Sequence, residues 1–197
     1  MADGRKKAAG FDEPESMTAV HPRSQERQGR EALQWLEAVV IALAVVIVVR
    51  MFIFSPFVVS GSSMYPTLQD GERVIVNKLV YRFHPPAYDQ IVVFVPPGQA
   101  GEDYIKRVIG LPGDIIAVRN GVLYRNGKRI EEPFINGPMT SDFPATRVPA
   151  DHLFVMGDNR NDSLDSRSPT VGMVPMENLV GEAALVLWPP SDFKVLP

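Results

Sequence analysis

The sequence predicts a mainly β protein: a coiled, partly closed sheet domain of antiparallel or mixed strands, behind one N-terminal transmembrane helix. Three observations predict it. A nearly unbroken apolar run occupies residues 33–54. Short β-branched runs follow, each closed by Gly, Pro or Asn-Gly. No stretch of ten or more residues in that second part repeats its apolar positions at the helical period of 3.6.

The apolar run reads ALQWLEAVVIALAVVIVVRMFIFSPFVV over residues 32–59. Its core, Ala38–Val49, has no polar side chain but is shorter than the ~20 residues a bilayer needs. Extended to Leu33–Phe54, a helix rising ~1.5 Å per residue reaches about 33 Å and can cross. Glu37 and Arg50 then lie toward its ends, where a long Arg stem brings the charge to the headgroups. Trp35, Phe52 and Phe54 suit the two interfaces. Pro56 lacks an amide hydrogen and disfavours further helix. Arg23, Arg27 and Arg30 precede the run closely, so the positive-inside rule places the N-terminus in the cytoplasm. A cleaved signal peptide fits less well, because the leader before the run is long and no A-x-A closes it. Residues 1–31 mix acids and bases with Gly, Ser, Pro and Gln and read as a flexible tail. The expected division is a cytoplasmic tail at 1–31, a membrane anchor at 32–56 and an extracytoplasmic domain at 57–197.

Within that domain, strands are expected at Arg73–Lys78, Gln90–Val95, Tyr104–Ile109, Asp114–Val118, Leu153–Met156 and Ala184–Trp188. Residues 118–130, VRNGVLYRNGKRI, hold two Asn-Gly pairs, the strongest short hairpin signal. They read as strand, turn, strand, turn, strand. Glu131–Pro149 is polar and Pro-rich and is expected to leave the core as an excursion.

Composition excludes several functions. With 45% apolar residues in 197, the chain can build a core. It has no Cys, which excludes a disulfide scaffold, a thiolate nucleophile and a Cys-ligated metal. A net charge of −3 gives no bulk basic face for nucleic acid.

Three segments concentrate polar chemistry. Ser60–Leu68, SGSSMYPTL, joins a flexible Gly61 to a Pro66 that restricts Tyr65. Such a turn either links two elements or presents a serine as nucleophile beside amide donors. Tyr104–Asp114, YIKRVIGLPGD, begins as a strand. Alternation puts Tyr104, Lys106 and Val108 on one face and Ile105, Arg107 and Ile109 on the other. Lys106 and Arg107 are then either surface charges or, for a lysine held among apolar groups, a base with a lowered pKa. Val155–Arg167, VMGDNRNDSLDSR, packs three Asp, two Asn, two Arg and two Ser between Asp158 and Arg167. Asp/Arg pairs there can brace a site. A calcium loop is disfavoured because its ligand spacing fails. A Ser63–His152–Asp158 triad can be written, supported only by composition. Three-His zinc fails because His21 falls across the membrane from His84 and His152.

These three segments, in this order behind one anchor, closely resemble the bacterial type I signal peptidases (leader peptidases), the short Gram-positive-like members in particular. The resemblance covers about Leu33–Pro190. It implies a β fold of the signal peptidase/repressor-protease type. It implies a membrane-bound serine endopeptidase that removes signal peptides from secreted preproteins after A-x-A-like sites, through an acyl-enzyme. Ser63 matches the nucleophile and Lys106 the general base. Ser163 matches the serine that orients the lysine. Asp165 and Arg167 match the bracing ion pair, and Gly157 and Asp158 the loop behind it. The Ser63 amide matches one oxyanion donor, while Gly61 stands where some members carry a second donor's hydroxyl. Phe57, Val59, Met64, Tyr104 and Ile105 are expected to line shallow apolar pockets for a substrate extended on an edge strand. No cofactor or metal is expected. The expected partners are secretory preproteins and the lipid bilayer, whose surface concentrates both chains. A self-cleaving Ser/Lys protein and an inactive peptide-binding domain are the competing readings. Cleavage of an added precursor separates the first, and a serine-reactive acylating probe the second.

Overall fold

The computed structural model describes residues 23–99 and 101–197. Most of the expected tail, residues 1–22, lies outside the described residues. Helix α1, Arg23–Phe52, begins inside the segment expected as tail. Its described side chains include Trp35, 74% exposed, and Val39–Ile41, each more than half exposed. Among the described residues, no helix is long and apolar enough to cross a membrane.

The helix stops before Phe54, where the sequence reading still expected it, and Phe54–Val58 form strand β1 instead. Pro56 sits within β1, which is tolerated because β1 is an edge strand with one bonded neighbour. Next come β2 (Arg73–Asn77), a single-turn helix α2 (Val80–Phe83), β3 (Ile91–Phe94), β4 (Tyr104–Gly110) and β5 (Ile115–Arg119). Then follow β6 (Val122–Arg125), β7 (Lys128–Arg129), β8 (Phe143–Arg147), β9 (His152–Met156), β10 (Val174–Pro175), β11 (Leu179–Trp188) and β12 (Lys194–Val195).

Two sheets result. The larger has the order β1-β2-β11-β3-β4-β9-β10, with β12 on β11, and the smaller β7-β6-β5-β8. Every pairing is antiparallel. Register shifts interrupt β11 against β2 and β3, and β4 against β9. Such bulges bend strands and raise twist, which curls the larger sheet. Both Asn-Gly pairs form two-residue turns with positive φ at each residue: 50° and 76° at Asn120–Gly121, 54° and 77° at Asn126–Gly127. That is the geometry of the hairpin turn that matches strand twist.

The expected excursion needs correction. Its second half is strand β8, paired to β5, and Phe143 within it packs on Phe154 with ring centroids 5.2 Å apart. Pro144 and Pro149 hide this strand in the sequence, but β8 is an edge, where proline is permitted.

The core explains why some strands read as continuous apolar runs. Ile91 and Val93 enter one cluster with Met64, Leu68 and Val76, while Val92 and Phe94 enter another with Val108 and Val155. β3 is thus covered on both faces, as is most of β4. A third cluster, around Ile116, Leu123, Phe154 and Met156, joins the two sheets. Phe154→Ala is expected to remove about 3–5 kcal/mol of stability, read by urea unfolding. Wild-type stability would show that this cluster does not hold the sheets together.

Candidate active site

The Ser63 turn hangs from the core by its apolar residues. Met64 and Leu68 are buried beneath it, and Leu68 N–H donates to Met64 O at 2.9 Å. Tyr65 N–H closes back on Ser62 O at 3.0 Å. Gly61, at φ 83°, donates its N–H to Asp70 Oδ1 at 2.7 Å. Ser63 is therefore held half-buried on a short turn anchored from below.

Strand β4 brings Lys106 to this turn. Lys106 is 4% exposed, and its Nζ lies 2.8 Å from Ser63 Oγ and 2.9 Å from Ile105 O. Burial disfavours the ammonium and pushes it down to about 8, against the opposing pull of the Asp165 and Asp158 carboxylates. Tyr104 lies on the same strand face, its ring centroid 5.4 Å from Nζ.

The loop 157–167 closes the site from behind. Asp158 accepts two hydrogen bonds from Arg107, from Nε at 2.8 Å and Nη2 at 2.6 Å, and one from Thr67 Oγ1 at 2.5 Å. Asp165 accepts from Arg167 Nε at 2.9 Å, from Arg167 Nη2 at 2.8 Å and from Gly157 N–H at 3.1 Å. Asn159 N–H donates to Ser63 O at 3.0 Å, and Ser62 Oγ donates to Asp162 at 2.5 Å. Gly157 has no room for a side chain: a Cβ would overlap Ser63 O and Ser163 Oγ.

A cavity of about 480 Å³ opens beside Ser63 and Lys106, lined also by Phe57, Ser60, Glu102, Asp103, Tyr104, Ile105 and Leu164. Val59 and Met64, expected to line it, do not. Both are buried in the core with Leu68 and Val74, so their side chains are committed to packing. Ser163 Oγ is buried without a hydrogen-bond partner, and Lys106 Nζ bonds elsewhere. His152 lies outside the site: its Nδ1 is 2.7 Å from Ala150 O, and Asp158 is occupied by Arg107. Sequence reasoning missed three contributors. These are Arg107 as the partner of Asp158, the buried Arg160, and Ser60 on the cavity wall.

Residues 32–188 match the family described as signal peptidase, peptidase S26. The chain belongs to that family. It is 42% identical over 185 residues to signal peptidase I of Bacillus caldolyticus, covering 87% of this chain and 97% of the relative. It is 41% identical over 163 residues to the probable signal peptidase I-1 of a Synechocystis strain, covering 79% and 82%. A crystal structure of a signal peptidase I from Enterococcus faecalis is 32% identical, with 53% of this chain and 97% of that one covered and a TM-score of 0.44. As a signal peptidase family member, the chain is a membrane-associated serine endopeptidase that removes signal peptides from secretory preproteins.

Two outcomes follow from this geometry. With Lys106 taken as the proton acceptor proposed below, cleavage is expected to rise with pH through about 8 and then level, because below that value the amine holds its proton. A rate independent of pH across that interval would contradict it. Gly157→Ala is expected to lower kcat about a hundredfold by displacing the Ser63 turn. Wild-type kcat in this variant would show that the close approach is not needed.

Proposed function

We propose that Ser63 is the nucleophile and Lys106 the general base of signal-peptide cleavage by this chain. The observation that carries the proposal is the 2.8 Å contact between Nζ and Oγ, made by a lysine whose burial favours the neutral amine. Neutral Lys106 accepts the hydroxyl proton as Ser63 Oγ attacks the peptide carbonyl. The ammonium so formed protonates the leaving amine. In the second step Lys106 draws a proton from water, which attacks the acyl-enzyme and frees Ser63. Among the described residues the Ser63 N–H has no internal acceptor, so it is available to the carbonyl oxygen as negative charge develops. Gly61 contributes no such amide, since its N–H is held by Asp70.

Gly157, Asp158, Asp165 and Arg167 support the pair through the loop behind it, and half-buried Ser163 stands beside Gly157 with its Oγ out of solvent. The substrate lies extended along the start of β4. β9 pairs with β4 only from Arg107 onward, and β3 takes the other edge. The free edge around Ile105 is open to an added strand, and Phe57, Tyr104 and Ile105 form the shallow wall that admits small side chains.

The apolar run of the sequence from Leu33 to Phe54, with the arginines ahead of it, supports a single membrane crossing, with residues 1–31 cytoplasmic and 57–197 extracytoplasmic. The test is cleavage of a purified secretory precursor by the detergent-solubilised full chain, beside Ser63→Ala and Lys106→Ala. Each substitution is expected to lower kcat by a factor of about 10³ or more, with the product N-terminus after an A-x-A-like site. Full activity in both variants would overturn the dyad.

A further inference from the structure

Residues 131–142 leave β7 and run along the back of the loop 157–167, outside the cavity at Ser63. Glu132 forms an ion pair with Arg160, and both side chains are buried. The Phe134 ring centroid is 3.9 Å from the Arg107 guanidinium carbon and 5.8 Å from that of Arg160. Asn136 N–H donates to Asp158 O at 3.2 Å. Thr140 donates to Asn161 Oδ1 from its N–H at 2.9 Å and from its hydroxyl at 3.0 Å. Asn161 Nδ2 returns a bond to Pro138 O at 2.9 Å.

The same loop reaches the reacting pair from its other side. Asn159 N–H holds Ser63 O, and Arg160 Nε holds Gly157 O at 2.9 Å. Asp158 holds Arg107, the neighbour of Lys106 on β4. A continuous chain of contacts therefore runs from Glu132 and Phe134 to both Ser63 and Lys106.

We infer that residues 132–140 form a clamp that positions the Ser63–Lys106 pair, with Glu132 and Phe134 as its positioning residues. This rests on the dyad proposed above. Neither residue lines the cavity, so neither touches substrate there. Three guanidinium groups, Arg107, Arg160 and Arg167, gather behind the site. Asp158 and Asp165 neutralise two of them, and Glu132 neutralises the third. Phe134 offers its ring face to Arg107 and stands near Arg160 as well, so one aromatic ring meets both guanidinium groups. With the clamp intact, the loop holds the Ser63 carbonyl and Arg107 in fixed positions.

The test uses the full chain in detergent, comparing wild type, Glu132→Gln, Phe134→Leu and Ser63→Ala on one purified precursor. The folded fraction of each is read from thermal unfolding. Both clamp variants are expected to lose about tenfold to a hundredfold in kcat per folded molecule, with KM little changed. In Glu132→Gln the acid limb of the kcat–pH profile is expected to move to lower pH. The cluster near Lys106 then carries one more net positive charge, which disfavours the ammonium. Phe134→Leu keeps all the charges, so its limb stays in place. Wild-type kcat per folded molecule in both variants, or a loss explained wholly by unfolding, overturns the clamp. If Glu132→Gln does not fold, Phe134→Leu decides alone by the same kcat criterion. Activity surviving in Ser63→Ala strikes the dyad reading. A dead Ser63→Ala beside unaffected clamp variants strikes the clamp alone.

Discussion

An ammonium group loses most of its hydration when a strand carries it into a core, and Lys106 is in that position. β3 and β9 flank β4, apolar clusters cover both its faces, and Lys106 is left 4% exposed. The result is an amine pushed down to about 8, able to take a proton near neutral pH without a histidine. Its polar needs are met by Ser63 Oγ and the Ile105 carbonyl rather than by a carboxylate. A carboxylate at bonding distance would restore the ammonium and cancel the effect. Among the described residues, the Ser63 hydroxyl is the one side-chain group that hydrogen-bonds the amine.

The surrounding charges obey the opposite rule. Buried ions are tolerable only when paired and hydrogen-bonded. Arg107 with Asp158 and Arg167 with Asp165 meet that requirement, and Arg160 pairs with Glu132 while its Nη2 stays buried without a partner. Among the described residues Lys106 forms no ion pair, although its neighbour Arg107 is bound at both Nε and Nη2. Adjacent positions on one strand thus have opposed fates, because alternation sends Arg107 toward the loop 157–167 and Lys106 toward Ser63. The paired arginines tie the loop down, and Asn159 of that loop holds the turn that carries Ser63.

Membership of the signal peptidase family sets the kind of substrate, a secretory preprotein. The cavity beside Ser63 and Lys106 is lined by apolar Phe57 and Ile105 together with acidic Glu102 and Asp103.

Features that depend on neighbours in the chain can be read directly from the residues. Asn120–Gly121 and Asn126–Gly127 specify their turns because few other pairs accept positive φ twice. β3, β4 and β9 were legible as apolar β-branched runs, and Ser63 and Lys106 as parts of ordered motifs. Only the tertiary structure decided what depends on distant partners. Asp158 lies 51 positions from Arg107, and Arg160 lies 28 from Glu132, so no local pattern couples them. Val59 and Met64 look the same in sequence whether they face a substrate or a core, and in the fold both are buried with Leu68 and Val74. β1 and β8 carry prolines that argue against a strand until their place at a sheet edge is known. Turns and periodicity are short-range properties, whereas burial and ion pairing are set by whichever segments the fold brings into contact.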